Sequence, residues 1–596
     1  MPRPPRPRVP RRAWLAAGAA ALAPVLALPW IVAPIVAARL RAAAAARGLD
    51  ARWDALAFRW PLDVEVRGLE VDRREPPVPA LRARRVTVAM APRLTSLRPR
   101  ITRLTLENVS VRLPEAAGGE PDAFATPEES RAGPAAPRVR AAAAQFAEAL
   151  LVPARRLPEV RLAGLELARG DSLLARLEAL ELSHRGGGAR LAATGLLAGE
   201  RGVPFDVALD WRHDDRLAGR ASFDLGGEVR ALSRLDVTVD GRVSQDRRAA
   251  VVRIADDTRV RLGQFELALS GEVRRDGPRF RLAVEALGLT ADGIQASLPP
   301  AMLGPLADLT VRGSWDWRAS LDVDVAAPES TRFSAYVVPH GLALGPDGAR
   351  LPLHRLAGPF VATIHVPKGP VVRELAPESP SFRQLERVSP LLRESLLTNE
   401  DGGFYRHRGF NSSAIQGAIA ENLRAGAFRR GAGTITMQLA RNLYLGHRRT
   451  LSRKAQEVVL AWVLENLTGL SKDRLLEIYL NIIEWGPGVH GAAEAARFYF
   501  DKEPIELSLD ESLFLTVLVP SPSRWRSRVD ADGALRPWAR QQMAFIARKM
   551  ATRGVLDSAA VPAAESLRVE LRGPAAADLL ARRLAAAGGA AVRPAP

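Results

Sequence analysis

Chemically capable side chains concentrate between residues 399 and 491. The segment opens with Asn399-Glu400-Asp401-Gly402-Gly403-Phe404-Tyr405-Arg406-His407-Arg408-Gly409, entered from the apolar stretch Leu391 to Leu397. An acidic pair at the end of an apolar helix, followed by two glycines, can act as a general base with an orienting neighbour, although a solvated helix end has the same pattern. Gly431-Ala432-Gly433-Thr434-Ile435-Thr436-Met437-Gln438-Leu439-Ala440-Arg441-Asn442 comes next. Its glycines let backbone approach a ligand, and its Thr, Gln, Arg and Asn side chains donate hydrogen bonds. A loop of this kind suits phosphate oxygens or is a turn before an amphipathic helix. Without Gly-Lys-Ser/Thr it does not read as an ATP-binding loop. Arg449 and then Arg453-Lys454-Ala455-Gln456-Glu457 form a third group. Helical spacing puts Arg453 and Lys454 on one face with Glu457, which describes either a surface ion-pair ladder or a managed carboxylate among cations that receive a departing phosphate.

Positioning these groups requires helices. Ser471 reads as the N-cap of a helix carrying Lys472, Tyr479 and Asn481, with Gly469 closing the preceding helix and Leu475, Tyr479 and Ile482 on its core stripe. Glu484 to Gly491 is a Gly/Pro turn, and Ala492 to Phe500 is another helix. A helical domain is thus expected over 373–545, with an Ala/Arg-rich tail over 546–596 that holds one strand at Leu567 to Leu571.

In order and spacing these groups resemble the family 51 glycosyltransferases, the polymerase domain of class A penicillin-binding proteins and of monofunctional peptidoglycan transglycosylases. Glu400-Asp401, Phe404, His407 and Gly409 match the first signature. Thr434, Thr436, Gln438 and Asn442 match the second, Arg453-Lys454 and Glu457 the third, and Lys472 with Tyr479-Leu480-Asn481 the fourth. Glu484-Trp485-Gly486-Pro487-Gly488 with Gly491 looks like the monofunctional branch. Departures are Gly433 where Ser is usual, Met437 where Gln is common and Arg441 where Lys is common.

The resemblance implies a lysozyme-like helical fold and polymerisation of lipid II into β-1,4 glycan, with inversion and release of undecaprenyl diphosphate. It assigns the base to Glu400 and a second catalytic carboxylate to Glu457. Substrate binding falls to Asp401, Phe404, His407, Thr434, Thr436, Gln438, Arg441, Asn442, Arg449, Arg453 and Lys454, and Lys472, Tyr479 and Asn481 are structural. No cofactor is obligatory and no metal site is assigned, with a divalent cation (Mg or Mn) left optional. No Ser-x-x-Lys set for transpeptidation is present, so crosslinking implies a transpeptidase partner. Two other readings stay open. One is a muramidase-like hydrolase, and the other is an envelope lipid-handling or scaffolding protein with a degenerate transglycosylase domain.

The remaining chain places this domain. The length of 596 residues calls for several cores, and the absence of cysteine removes thiolate chemistry and disulfides. The formal charge of +18 suits nucleic acid, anionic membrane or phosphorylated substrate alike. The signatures favour the latter two, with no nucleic-acid role. Arg3, Arg6, Arg8, Arg11 and Arg12, in a cytoplasmic tail over 1–12, precede an uncharged run over 13–38. That run reads as a bacterial inner-membrane anchor, bent by Pro24, Pro29 and Pro34, which sends the rest into the periplasm.

Period-two alternation follows over 39–113 and again over 139–372, separated by a Pro/Ala/Gly/Glu-rich linker over 114–138. Val66-Arg67-Gly68-Leu69-Glu70-Val71 is echoed by Leu162-Ala163-Gly164-Leu165-Glu166-Leu167. Helix is expected from Val139 to Leu151. Single strands are expected at Ile101 to Leu113, Phe205 to Trp211, Ser233 to Val243, Val260 to Val273, Phe280 to Val284 and Leu309 to Trp317. In pattern this region resembles the β-rich segments of AsmA-type envelope proteins. Leu423 to Arg430, with Phe428 before Arg429 and Arg430, reads either as a headgroup contact or as a surface loop.

Overall fold

The computed structural model describes residues 34, 37–42, 44–46 and 49–590, apart from 60–62, 74–78, 94–95, 114–135, 152–156, 171, 186, 198–201, 213, 226–233, 367–368 and 447–450. The expected tail over 1–12 and nearly all of the anchor over 13–38 lie outside them. Among the described residues no helix is long and apolar enough to cross a membrane. The chain divides into two compact units, one of residues 1–120 with 144–276 and one of 121–143 with 277–596.

The first unit is a β-sheet in which strands neighbour one another in sequence order, with Ala55–Arg59 pairing to one side on Asp63–Arg73. The expected alternation is visible in Arg234–Asp246, whose residues switch between exposed and partly buried along its length. All neighbours in this unit whose register is given pair antiparallel except Ser96–Leu113 with Glu159–Arg169, which run parallel from Arg103 opposite Glu159 to Leu113 opposite Arg169. The connection between them carries the helix Pro137–Leu151, since a parallel crossover needs a long return. The expected single strand from Val260 to Val273 is instead two strands, Val251–Leu262 and Phe265–Arg274, folded back where Gly263 takes φ +57°.

The internal echo has a physical cause. Gly68 and Gly164 both adopt positive φ, at +59° and +76°. Where a Cβ would stand, the carboxylate of Asp54 fills the space at Gly68 and Oδ1 of Asn108 fills it at Gly164. Asn108, in Glu107-Asn108-Val109, is itself left-handed at φ +47°, a conformation Asn tolerates. The repeat unit is therefore a backbone kink in the strand, and sequence similarity detects only the copies that use glycine. Much of the Arg excess is matched across strands, as in Arg103 with Glu159 at 2.8 Å and Arg176 with Glu166 at 2.6 Å.

The second unit begins with strands Arg279–Leu289, Val311–Asp324 and Arg332–Leu344, paired antiparallel, and a hairpin of Phe360–Ile364 with Val371–Leu375. Helices follow: α1 (Pro390–Glu400), α2 (Ser412–Ala425), α3 (Ile435–Ala440), α4 (Leu451–Asn466), α5 (Lys472–Ile482), α6 (Ala492–Phe500), α7 (Leu509–Leu518) and α8 (Pro537–Thr552). Ser471 caps α5 by accepting from Arg474 N, and Gly469 is left-handed at φ +73°. Leu475, Tyr479 and Ile482 are fully buried, as their stripe requires. α2 packs on the strands through Ile419 and Leu423, which meet Val323, Val325, Val139 and Ala143, and Gln416 Nε2 donates to the Phe333 carbonyl at 2.8 Å.

Leu567 to Leu571 forms no strand. Its alternation arises because Leu567 and Val569 enter the helical core while the backbone runs unpaired beside it. Ile546, Ala547, Met550, Leu567 and Ala575 all belong to that core, so the Ala/Arg-rich composition conceals packed positions. Leu567→Ala should therefore destabilise the protein by about 2–5 kcal/mol, the range for a buried Leu truncation, as read from urea unfolding. An unchanged midpoint would show that this segment is peripheral.

Candidate active site

Pro390 starts α1, and Leu392, Leu396 and Leu397 bury its inner face. Its last residue, Glu400, and the next, Asp401, point to different partners. The Glu400 carboxylate accepts from Asn399 Nδ2 at 2.8 Å and from Gln438 Nε2 at 3.0 Å. Gln438 Oε1 in turn accepts from the fully buried Tyr479 hydroxyl at 3.0 Å, which fixes which end of the amide faces Glu400. Burial pushes the Glu400 carboxyl above the usual range, and Gln438, Asn399, Arg441 and Lys549 pull it partly back. Lys549, on α8, lies outside the four signatures, and no local pattern in the sequence marks it.

Asp401 is buried and works as a staple. It meets His407 Nε2 at 2.9 Å and accepts from the backbone N–H of Ile435 at the start of α3, where a carboxylate is favoured. Thr434 caps α3 by accepting from Met437 N and donates to the Gly409 carbonyl at 2.7 Å. Asn481 holds the approach to α1, accepting from Arg383 N at 2.9 Å and donating to Arg383 O at 2.8 Å.

A carboxylate not singled out in the sequence lies at the centre of this framework. Glu465, buried near the end of α4, accepts from Gly409 N at 2.6 Å and from the Thr436 hydroxyl, and pairs with Lys472 Nζ at 2.7 Å. The same ammonium stands 4.2 Å over the Phe404 ring. Phe404, Gly409, Thr436 and Lys472 come from three separate signatures, and one buried charge pair unites them. A helical-period reading of α4 would have exposed it, because Glu457, Leu460, Ala461, Leu464 and Glu465 recur at the spacing of one buried face.

The third group is assembled as its spacing requires. Glu457 is buried and pairs with Arg453 and, at 3.0 Å, with Lys454. Arg441 opens a π-helical turn over Arg441–Leu445, with Nε 3.5 Å from Asn442 Oδ1. Burial lowers the Lys454 pKa, and the Arg441 and Arg453 guanidiniums lower it further. At Gly433 a Cβ would stand 3.5 Å from Lys454 Nζ, an ordinary contact, so the usual Ser would fit. Arg449 lies outside the described residues. Both oxygens of Glu457 are engaged, and among the described residues no group of three or more His, Asp or Glu could hold a metal.

Lys472→Met would leave Glu465 buried without its counter-ion, at a cost of about 3–5 kcal/mol, which urea unfolding would detect. A loss below about 1 kcal/mol would mean that the pair is dispensable.

Comparison with known proteins agrees with this geometry. A family model described as Transglycosylase matches residues 368–551. The biosynthetic peptidoglycan transglycosylase of Alcanivorax borkumensis is 38% identical over 181 residues, which are 30% of this chain and 71% of that protein. The one from Paraburkholderia xenovorans is 36% identical over 172 residues, 29% of this chain and 69% of that protein. A carboxylate at a helix end, a basic cluster beside it and these relatives together place the chain in the peptidoglycan transglycosylase family.

Proposed function

We propose that residues 373–545 polymerise lipid II, with Glu400 as the base. The observation that carries this reading is the half-buried Glu400 carboxylate, set by hydrogen bonds from Asn399 and Gln438 and surrounded by the fields of Arg441 and Lys549. In the step, the 4-hydroxyl oxygen of the acceptor sugar attacks the anomeric carbon of the growing chain. The bond from that carbon to the diphosphate oxygen breaks, the hydroxyl proton passes to Glu400, and undecaprenyl diphosphate leaves with its electron pair. A sugar hydroxyl needs such a base near neutral pH, and a base with a raised pKa receives the proton more readily.

Arg441, Arg453, Lys454 and Arg449 receive the diphosphate. The depressed Lys454 pKa supports this assignment, because cations crowded together are relieved when an anion arrives. Glu457 holds Arg453 and Lys454 in place. Gln438 acts here as a positioning residue for Glu400, with Tyr479 fixing its amide. Asp401, His407, Thr434, Thr436 and Asn442 shape the loop around the sugars, and Phe404 packs beneath them. Any Mg or Mn ion would arrive on the substrate diphosphate.

The reading places the basic tail in the cytoplasm, the run over 13–38 in the inner membrane and the catalytic unit in the periplasm, with a separate transpeptidase crosslinking the product. Phe428, 78% exposed between Arg424 and Arg429, would rest among lipid headgroups.

Incubated with labelled lipid II, the protein should yield polymer that a muramidase digests, and Glu400→Gln should lower the rate at least about 100-fold. The fold favours neutral Glu400, so its contribution to stability is present at low pH and is lost as pH rises through the raised native pKa. Glu400→Gln should therefore melt no lower than the native protein at pH 7. Polymer from a folded Glu400→Gln variant would remove Glu400 from the base role.

A base must be ionised to act, so the acid limb of kcat/KM should lie above the ordinary Glu value of about 4.3. Tyr479→Phe should loosen Gln438, move that limb further up and lower kcat about tenfold. A fall in activity at every pH with the limb unmoved would make Tyr479 merely structural.

A further inference from the structure

Beside the catalytic loop the second unit holds an open cavity of about 680 Å³, and of the groups assigned above only His407 lines it. One wall is the loop with Arg406, His407 and Arg408, and another is Trp462 of α4. The third is the strand Arg332–Leu344, which presents Tyr336. That strand precedes the segment matched by the transglycosylase family, so the cavity belongs to this chain's own architecture. The walls are held in register by the Gln416 hydrogen bond to the Phe333 carbonyl and by the apolar contacts of Ile419 and Leu423.

Its chemistry is selective. The lining offers the aromatic rings of Tyr336, Phe410 and Trp462, the hydroxyls of Tyr336, Ser412 and Ser413 and two guanidiniums, and contains no carboxylate. Tyr336 is 48% exposed, with its hydroxyl held by the Arg318 guanidinium and its ring open to the cavity. His407 is nine-tenths buried with Nε2 on Asp401, while its buried Nδ1 has no hydrogen-bond partner. Flat apolar faces beside convergent donors suit a pyranose ring with its hydroxyls, and guanidiniums in a lining that has no carboxylate of its own select a carboxylate-bearing form of it.

We propose that this cavity is a second saccharide site that holds a carboxylate-bearing, peptide-substituted glycan, the polymer leaving the catalytic centre. It rests on the reading of the chain as a glycan polymerase. Retention there would keep the product beside the enzyme between additions and lengthen the strands made per encounter.

The test titrates the full-length protein calorimetrically with a soluble disaccharide-peptide fragment of peptidoglycan and with uncharged chitotetraose. The native protein should bind the fragment more tightly than chitotetraose. Tyr336→Ala and Arg406→Gln should each weaken fragment binding about tenfold, as for loss of one strong contact. Both variants should consume lipid II at a rate within about twofold of native while making shorter glycans. Unchanged fragment affinity in both variants, no fragment binding by native protein, or equal affinity for chitotetraose would overturn the proposal. Circular dichroism melts confirm folding, and because Tyr336 and Arg406 are both exposed, at least one folded variant keeps the test decisive. If native protein makes no polymer yet binds the fragment in a Tyr336-dependent manner, the site stands and the polymerase reading fails.

Discussion

The pairing of buried Glu465 with half-buried Lys472 is the constraint on which the catalytic unit depends. A carboxylate that deep is tolerable only if its oxygens are occupied, and here a backbone N–H, a hydroxyl and an ammonium occupy them. Each donor is drawn from a different stretch of chain, so neutralising one charge brings the loop after α1, the start of α3 and the start of α5 together. The position of Glu400 relative to the basic cluster is a consequence. α1 ends where the loop is pinned, and α3 begins where Asp401 can reach it.

Around this pair the unit separates structural from reactive polarity. Asp401, Glu457 and Glu465 are all buried with partners. Burial disfavours the ionised form of Glu400, and Lys454 is held among like charges. In the proposed mechanism these are the groups that handle the proton and the diphosphate, and giving up stability at such places is a usual relation between strain and function.

The sequence made much of this legible. The helices, the N-cap at Ser471, the core stripe of α5 and the clustering of Arg453, Lys454 and Glu457 follow from local spacing, which elementary periodicity reads. Glu465 was legible in principle, since it shares the buried face of α4, but a lone carboxylate in an apolar stretch lacks a motif. Lys549 was not legible, because its relation to Glu400 exists only after α8 folds back across α1. Gly68 and Gly164 announced the strand kinks, whereas Asn108 did the same work under another letter. The merged strand at Val260 to Val273 and the false one at Leu567 to Leu571 share a cause. Alternation records which residues are buried, and it does not record whether a ladder partner is present or where a turn intervenes.

The seam where similarity to relatives stops and the seam where packing stops lie far apart. The family model matches from residue 368, whereas the compact unit also takes in 121–143 and 277–367, and α2 inside the matched segment rests its apolar face on strands that precede it. The segment matched by the family and the segment that packs together thus have different bounds. Cutting the chain at residue 368 would therefore strip α2 of the strands on which its apolar face rests.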